Sequence, residues 1–572
     1  MIAIVAVVVV TVATILIGVY GVRVARTTSD VFVASRTVPP LWNASAISGE
    51  YLSAASFLGV AGLILKYGVD MLWYPVGYAA GYLILLLFVA APLRRSGAYT
   101  IPDFAEGRFD SARMRKVAVA FVLLIGWFYL LPQMKGAGVT LSVLVGTPYW
   151  VGVVVVGSVI TANVALGGMR GITFVQAFQY WLKVTAISVP AIVLLSYYQS
   201  GGRPDVIEPA PPRFGEATEV TLDVDARFVV DEPVTVEARG VVDGDRVAGS
   251  VTLESGEHTM LEDGRLRFPA GSPAPHAVGL TASDGEDWGH PFGPIGDDRS
   301  HPLFFTYSLL LATFLGTMGL PHILVRFYTN PDGRAARRTT VIVLALMAGF
   351  YVFPPVYGLL GRYYAPDLYL TGTTDAVVLV LPGRVVGGLG GELLSGLVAA
   401  GAFAAFMSTA SGLLISVAGA LAHDVLRGGV ADFRRAAVVG GVVAMSLGLG
   451  VSGFDINMLV GWAFAIAASS FCPLLVLGIW WRGLTATGAL AGVSAGGTLA
   501  SVAILLTMAD AVDGGWPEAL LSQPAAWSVP TAFVTMVVAS KLTRSEVPAD
   551  VGERLLTLHV PERLGLARAY RP

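Results

Sequence analysis

Three residues in helical register, Ala405, Ser408 and Thr409 of "AAGAFAAFMSTASGLLISVAGALAHDVL", carry the first chemical signal. Their i, i+3 and i+4 spacing puts one backbone carbonyl and two hydroxyls on a single helix face. A hard monovalent cation takes oxygen ligands, and neutral hydroxyls with carbonyls replace its hydration without burying further charge. The same hydroxyls also suit a plainer role, bonding a neighbouring backbone inside a membrane. A second signal is "NASAISGEYLSAASFLGVAG", residues 43–62, where the carboxylate of Glu50, beside Tyr51, stands in an otherwise apolar stretch. Such a group either lowers the cost of a nearby cation and titrates during a cycle, or pairs with a Lys or backbone donors to hold local structure. A third is Lys135 in "LLPQMKGAGVTL", about nineteen residues or roughly 28 Å from Lys116 along a helix. That depth places it in the outer half of a span, where it snorkels to the surface, attracts an anion, or pairs with Glu50.

These signals have force only inside a bilayer, and the composition supplies one. The chain has 572 residues, 55% hydrophobic and 13% charged, about half the charge of an average soluble domain. Apolar windows of about 20 residues begin near Ile2, Trp42, Met71, Val117, Trp150, Phe174, Leu303, Thr340, Leu393, Ala436, Leu459, Thr487 and Val529. The expectation is an all-α polytopic membrane protein with about 13 spans. The first window lacks a preceding basic region and is followed by Arg23 and Arg26, so it reads as an uncleaved span. Alternation then places "PLRRSGAYTIPDFAEGRFDSARMRK", "RFYTNPDGRAARR", "HDVLRGGVADFRR" and the basic tail on one side, which the positive-inside rule makes cytoplasmic. The N-terminus is thus expected outside and the C-terminus inside.

The segments read as spans 1–6 over residues 1–200, an insert over 201–301, spans 7–13 over 302–542, and a tail over 543–572. The insert alternates apolar and polar residues and is punctuated by "DGDR" and "EDGR", the pattern of short strands joined by turns. Topology puts this β-rich unit outside the cell. It lacks EF-hand spacing, so its acidic residues read as a solvated surface, and "PAPPR" and "GHPFGPIGDD" read as linkers that let it fold separately. The single cysteine, Cys472, excludes an internal disulfide.

Absent motifs narrow the function. There is no phosphate-binding G-x-x-x-x-G-K-[ST] and no zinc-protease H-E-x-x-H. The chain therefore reads as neither an enzyme nor a nucleic-acid binder, and no ATPase subunit is implied. Two spans are interrupted at corresponding places: "ISGEYLSAAS" in the second and "LGTMGLPH", with Gly316, Gly319 and Pro321, in the seventh. Each opens a group of five spans, and paired breaks at matched positions point to an inverted-repeat transporter with its site at the midplane. Close helix packing at small residues is the alternative for either span alone. A receptor would ordinarily append a signalling domain, whereas the tail after Leu542 is only about thirty residues.

Five ordered blocks, "NASAISGEYLSAASFLGVAG", "RRSGAYTIPDFAEGRF", "GTMGLPHILVRFYTNPD", "FMSTASGLLISVAGALAHD" and "VGWAFAIAASSFCPLLVLGIWW", resemble the sodium:solute symporter family, in its cation/acetate symporter branch. The resemblance implies two inverted five-helix repeats of the leucine-transporter type and alternating access. It implies a sodium site formed by the carbonyls of Gly49, Leu52 and Ala405 and the hydroxyls of Ser408 and Thr409, with proton coupling as the alternative. It implies a short monocarboxylate substrate such as acetate, propionate or pyruvate, or else another small solute such as an amino acid or sugar. Half-helix N-termini would meet a carboxylate. Glu50, Tyr51, Lys135, Thr317, Met318, Trp462 and Phe464 are the candidate substrate-site residues.

Overall fold

Proline sets where several of the membrane helices start. The computed structural model describes residues 1–24, 38–200, 212–222, 226–261, 263–278, 288–289, 301–426, 429–512, 514–561 and 564. In it, helices open with proline in the first turn at Pro40, Pro302, Pro321 and Pro354, where the missing N–H costs nothing. The chain runs α1 (Ile2–Val24), α2 (Pro40–Tyr51), α3 (Val60–Tyr67), α4 (Trp73–Ile84), α5 (Ala90–Arg95), α6 (Ile101–Phe109), α7 (Ala112–Val145) and α8 (Tyr149–Ser200). After a sheet come α9 (Pro302–Gly316), α10 (Pro321–Phe327), α11 (Gly333–Tyr351), α12 (Pro354–Tyr364), α13 (Asp367–Thr371), α14 (Val377–Val386) and α15 (Gly388–Gly419). The chain closes with α16 (Val430–Gly448), α17 (Ile456–Trp480), α18 (Ala486–Met508), α19 (Gly515–Ser522), α20 (Ala525–Leu542) and α21 (Val551–His559).

Among the described residues, 10 helices are long and apolar enough to cross a membrane, or 11 when α2 and α3 are taken as one bent span. Two of the expected windows fall short of that test. The apolar part of α1 within the described residues is Ile2–Gly18, and the first turns of α16 carry Asp432, Arg434 and Arg435. Arg26 and most of both expected linkers lie outside the described residues.

The most enclosed helix is α15, whose apolar window is 100% buried. It packs on α7, α8, α14 and α1, so Ala405, Ser408 and Thr409 lie in the centre of the molecule and have no access to lipid. The two interrupted spans flank it. Between α2 and α3 the axis bends by 67°, through Leu52–Ala54 and a π-helical turn at Ala55–Gly59. Between α9 and α10 lie a 3₁₀ turn, Thr317–Gly319, and an extended Leu320 (φ −73°, ψ 113°). At Gly319 an added Cβ would overlap Ala467 O of α17, so the second break presses backbone against backbone where only glycine fits.

The insert forms one antiparallel sheet of seven strands in the order β1-β6-β3-β5-β2-β7, with β4 on the free side of β3. The strands are β1 (Thr218–Thr221), β2 (Ala226–Val230), β3 (Val234–Val242), β4 (Asp245–Leu253), β5 (Gly256–Met260), β6 (Arg265–Phe268) and β7 (His276–Ala277). "DGDR" is the β3–β4 turn, with Asp243 and Gly244 both at positive φ (50° and 88°), as a two-residue type I′ hairpin requires. Val234 and Val236 face Leu253 and Val251 across it. The sheet's core is not closed by its own residues: Leu370 of α13, fully buried, joins Phe228, Val236, Leu266 and Phe268. Trp288, after the sheet, donates its indole N–H to Leu65 O at the end of α3 (3.1 Å), and the guanidinium of Arg362 lies 5.1 Å from its ring centre. The insert is therefore docked on the helical part, which a reading of residues 201–301 as a self-contained unit does not anticipate.

Two outcomes follow. Leu370→Ala should loosen the sheet by about 2–5 kcal/mol, the usual cost of a buried Leu truncation, read as faster amide exchange over residues 218–277 with the helices unchanged. His258 donates from Nδ1 to Asp243 (2.6 Å) and from Nε2 to Glu254 O (2.7 Å). Partial burial alone would lower its pKa, but these acceptors outweigh that and raise it above its ordinary value. Its stabilisation is complete below pH of about 6.5, the unfolded value, and is lost as pH rises through the folded pKa. Protection of the Thr259 amide, which donates to Asp243, should fall over that rise, and should not in His258→Asn.

Candidate functional site

Ending a helix inside a membrane leaves its last carbonyls without partners, and water is not there to serve them. The first break solves this residue by residue. At the end of α2, Gly49 O accepts from the hydroxyl of Ser408 (2.6 Å), which also has Ala405 O at 3.1 Å. Glu50 O accepts from Thr409, and Leu52 N–H donates back to Ser48 O (2.9 Å). On the far side, Ala54 N–H donates to Gln133 Oε1 of α7 (3.1 Å) and Ala55 N–H to Ser53 Oγ (3.2 Å).

The largest contribution comes from Lys183 of α8, fully buried. Its ammonium donates to Gly49 O, to Leu52 O (2.7 Å) and to Ser408 Oγ (2.7 Å). An ammonium has three donors and no acceptor, and all three are used. A cation at a helix C-terminus also meets the negative end of the helix dipole. The structure brings Gly49, Leu52, Ala405, Ser408 and Thr409 together, with the ammonium of Lys183 among them.

Glu50 does not meet Lys135. Its Oε2 accepts from Arg326 Nε of α10 (2.6 Å), both side chains fully buried. The same guanidinium donates to Thr173 (2.8 Å) and to Gln176 of α8. Gln176 in turn donates to Ser408 O (2.8 Å). Glu50 Oε1 faces Gly412, where a Cβ would overlap it. The pair therefore ties α2, the first half of one broken helix, to α10, the second half of the other. Lys135 instead pairs with Asp375 (3.6 Å) and donates to Phe454 O. It is 7% exposed, held in an ion pair and not snorkelling.

The two breaks touch through Tyr51, whose hydroxyl is 3.0 Å from Thr317 Oγ1 and 3.3 Å from Tyr78 O. Around it gather Tyr82 (ring centres 4.8 Å apart), Tyr78 (5.9 Å) and Phe464 (6.0 Å). Phe464 also meets Tyr129 at 5.7 Å, and Met318 is buried in the 3₁₀ turn. Trp462 is not part of this group. Two residues from Phe464, it projects from another side of α17, where it meets Phe454 (5.7 Å) and donates to Ser522 O (3.1 Å).

Sequence reasoning missed Lys183, Arg326, Gln176, Thr173, Tyr78, Tyr82, Tyr129 and His322. A signal existed for three of them: Thr173, Gln176 and Lys183 recur at intervals of three and seven residues in an apolar helix, one polar stripe on one face. His322 is fully buried and edge-on to Tyr129 at 5.0 Å, and among the described residues neither of its ring nitrogens has a hydrogen-bond partner.

Comparison with known proteins identifies the family and the fold. The sodium:solute symporter family matches residues 31–208 and 294–496, the two parts flanking the sheet. An uncharacterized symporter of Bacillus subtilis is 30% identical over 91% of this chain and 90% of its own. A monocarboxylic acid transporter of Corynebacterium glutamicum is 30% identical over 94% of this chain and 91% of its own. Among solved structures, a Na+-coupled sialic acid symporter in a substrate-bound outward-open state superposes with a TM-score of 0.63 at 14% identity, covering 95% of this chain and 97% of that one. Mhp1, a nucleobase-cation-symport-1 family transporter in a closed conformation, superposes with a TM-score of 0.52 at 13% identity, covering 92% and 98%. The fold is the one these transporters share, and the chain is a multi-pass membrane transporter that belongs to the sodium:solute symporter family.

Proposed function

We propose that the chain is a secondary active symporter that imports a small monocarboxylate, such as acetate, propionate or pyruvate, together with a coupling cation. The observation that carries this reading is the charge balance at the breaks. In their ordinary charge states Lys183 and Arg326 are positive and Glu50 is negative; all three are fully buried, and on that assignment they sum to one excess positive charge at the end of α2. A fixed net positive charge in a low-dielectric interior favours one anion there and disfavours a cationic solute. The name of the Corynebacterium relative points the same way.

The substrate is received, on this reading, between the two breaks, at the hydroxyls of Tyr51 and Thr317. Rings in contact there leave a small solute fewer side chains to displace than a sugar. Lys135, paired with Asp375, guards the far end of the same bundle together with Lys66 and Asp455 (3.1 Å). The Arg115 cluster with Asp103 (2.9 Å), Glu106 and Asp424 closes the opposite end. With the Lys/Arg-rich loops in the cytoplasm, Lys135 lies on the outer side, the N-terminus outside and the C-terminus inside.

Purified chain in proteoliposomes should take up labelled acetate saturably, with competition from propionate and pyruvate and none from alanine, glucose or acetamide. Equal competition by acetamide would remove the carboxylate from the reading. The Glu50–Arg326 pair gives a separate outcome. Arg326→Gln leaves a buried carboxylate unpaired and should cost about 3–5 kcal/mol, seen as lost thermal stability, and Glu50→Gln added to it should restore part of that loss. Gly412→Ala, which drives a methyl into Glu50 Oε1, should destabilise by about 1–3 kcal/mol.

A further inference from the structure

The oxygens expected to hold a sodium ion can be tested against what they already bind. Of the five, Gly49 O, Leu52 O and Ser408 Oγ accept from the ammonium of Lys183. Ala405 O lies within reach of the Ser408 hydroxyl (3.1 Å), and Thr409 donates to Glu50 O. The whole set is satisfied by the chain itself. A sodium ion in the same cradle would share oxygens with a buried positive charge, at ligand distances from the same atoms.

Among the described residues, the neighbouring elements offer no spare negative charge to offset a second cation. From α2 comes Glu50, already paired with Arg326 of α10 (2.6 Å). From α15 come the neutral hydroxyls of Ser408 and Thr409, from α8 the amide of Gln176, and from α1 the hydroxyl of Thr14, which accepts from Gln179 (3.2 Å). Among the described residues, the described charges at this cradle are thus two positive and one negative.

We infer that Lys183 is the resident cation of the first helix break, and that this chain neither binds sodium there nor needs sodium to transport. A covalently tethered cation cannot leave with the solute. It can do the structural work of an ion, neutralising the carbonyls at the end of α2, without contributing an ion gradient. Lys183 is on this view the residue that sets ion specificity. The transport half of the inference rests on the reading of the chain as a cation-coupled carboxylate symporter, and the ion-binding half does not.

The experiment has two arms on the purified full-length chain. In the binding arm, labelled sodium and sodium-induced thermal stabilisation are measured on the parent, Lys183→Ala, Lys183→Met, and Ser408→Ala in each background. The parent should show no saturable sodium binding that depends on Ser408, whereas Lys183→Ala should gain sodium binding and a sodium-dependent rise in Tm, both lost on adding Ser408→Ala. In the uptake arm, replacing sodium by choline at fixed membrane potential and pH should change acetate uptake by the parent less than twofold. Parent binding of sodium that Ser408→Ala abolishes, or a tenfold fall of parent uptake in choline, overturns the inference. If the Lys183 variants do not fold, those parent measurements decide by themselves. Absence of carboxylate uptake in every medium would sink the proposed substrate instead, with the binding arm still deciding the role of Lys183.

Discussion

A helix that stops in the middle of a membrane must find partners for its terminal carbonyls and amides within the protein, because neither lipid nor water supplies them. Much of the centre of this molecule answers to that constraint. The end of α2 is met by an ammonium from α8 and two hydroxyls from α15, and the chain beyond the break by Gln133 of α7. Three helices therefore have to be placed to within hydrogen-bond tolerance of one bend. The complete burial of the apolar window of α15 follows from that role: it carries Ser408 and Thr409 to the bend and leaves room, at Gly412, for Glu50.

The second consequence is mechanical. A buried ion pair is seldom a net source of stability, yet losing one partner is costly. The Glu50–Arg326 pair, with Thr173 and Gln176 on the guanidinium, joins α2 and α10, one half of each broken helix, to α8. Tyr51 and Thr317 join the breaks themselves. A transporter that rocks one group of helices against another needs such fixed points, so that the two half-helices move as a unit while contacts at the ends of the bundle open and close. The ion pairs at those ends, Lys135–Asp375 (side chains 9% and 7% exposed) and Arg115–Asp103 (20% and 0%), are less fully enclosed than the central one.

The sheet belongs to the same body through two anchors. Leu370 completes its core from α13, and Trp288 caps the end of α3 beneath Arg362. Strand alternation and the Asp-Gly turns announced the strands, because a two-residue period and a positive-φ turn are local properties. Nothing local announced Leu370, one apolar residue in a short helix about ninety positions further along the chain, since its burial depends on which surface the sheet lands on.

By itself the sequence determined the membrane setting, the two interrupted helices, the presence of the strands and the oxygen-bearing face of α15. Each is a matter of composition, of breakers at matched positions or of periodicity along one element. Only the tertiary structure decided who meets whom. Glu50 took Arg326 and not Lys135, because α10 and α8 bring the guanidinium to the end of α2 while Lys135 lies near Asp375. Lys183 was visible as a lysine in an apolar span, but its contact with Gly49, Leu52 and Ser408 joins positions 134, 131 and 225 residues apart. Ion pairing is set by three-dimensional proximity and by the cost of leaving a buried charge alone, and neither is written in the spacing of residues along one helix.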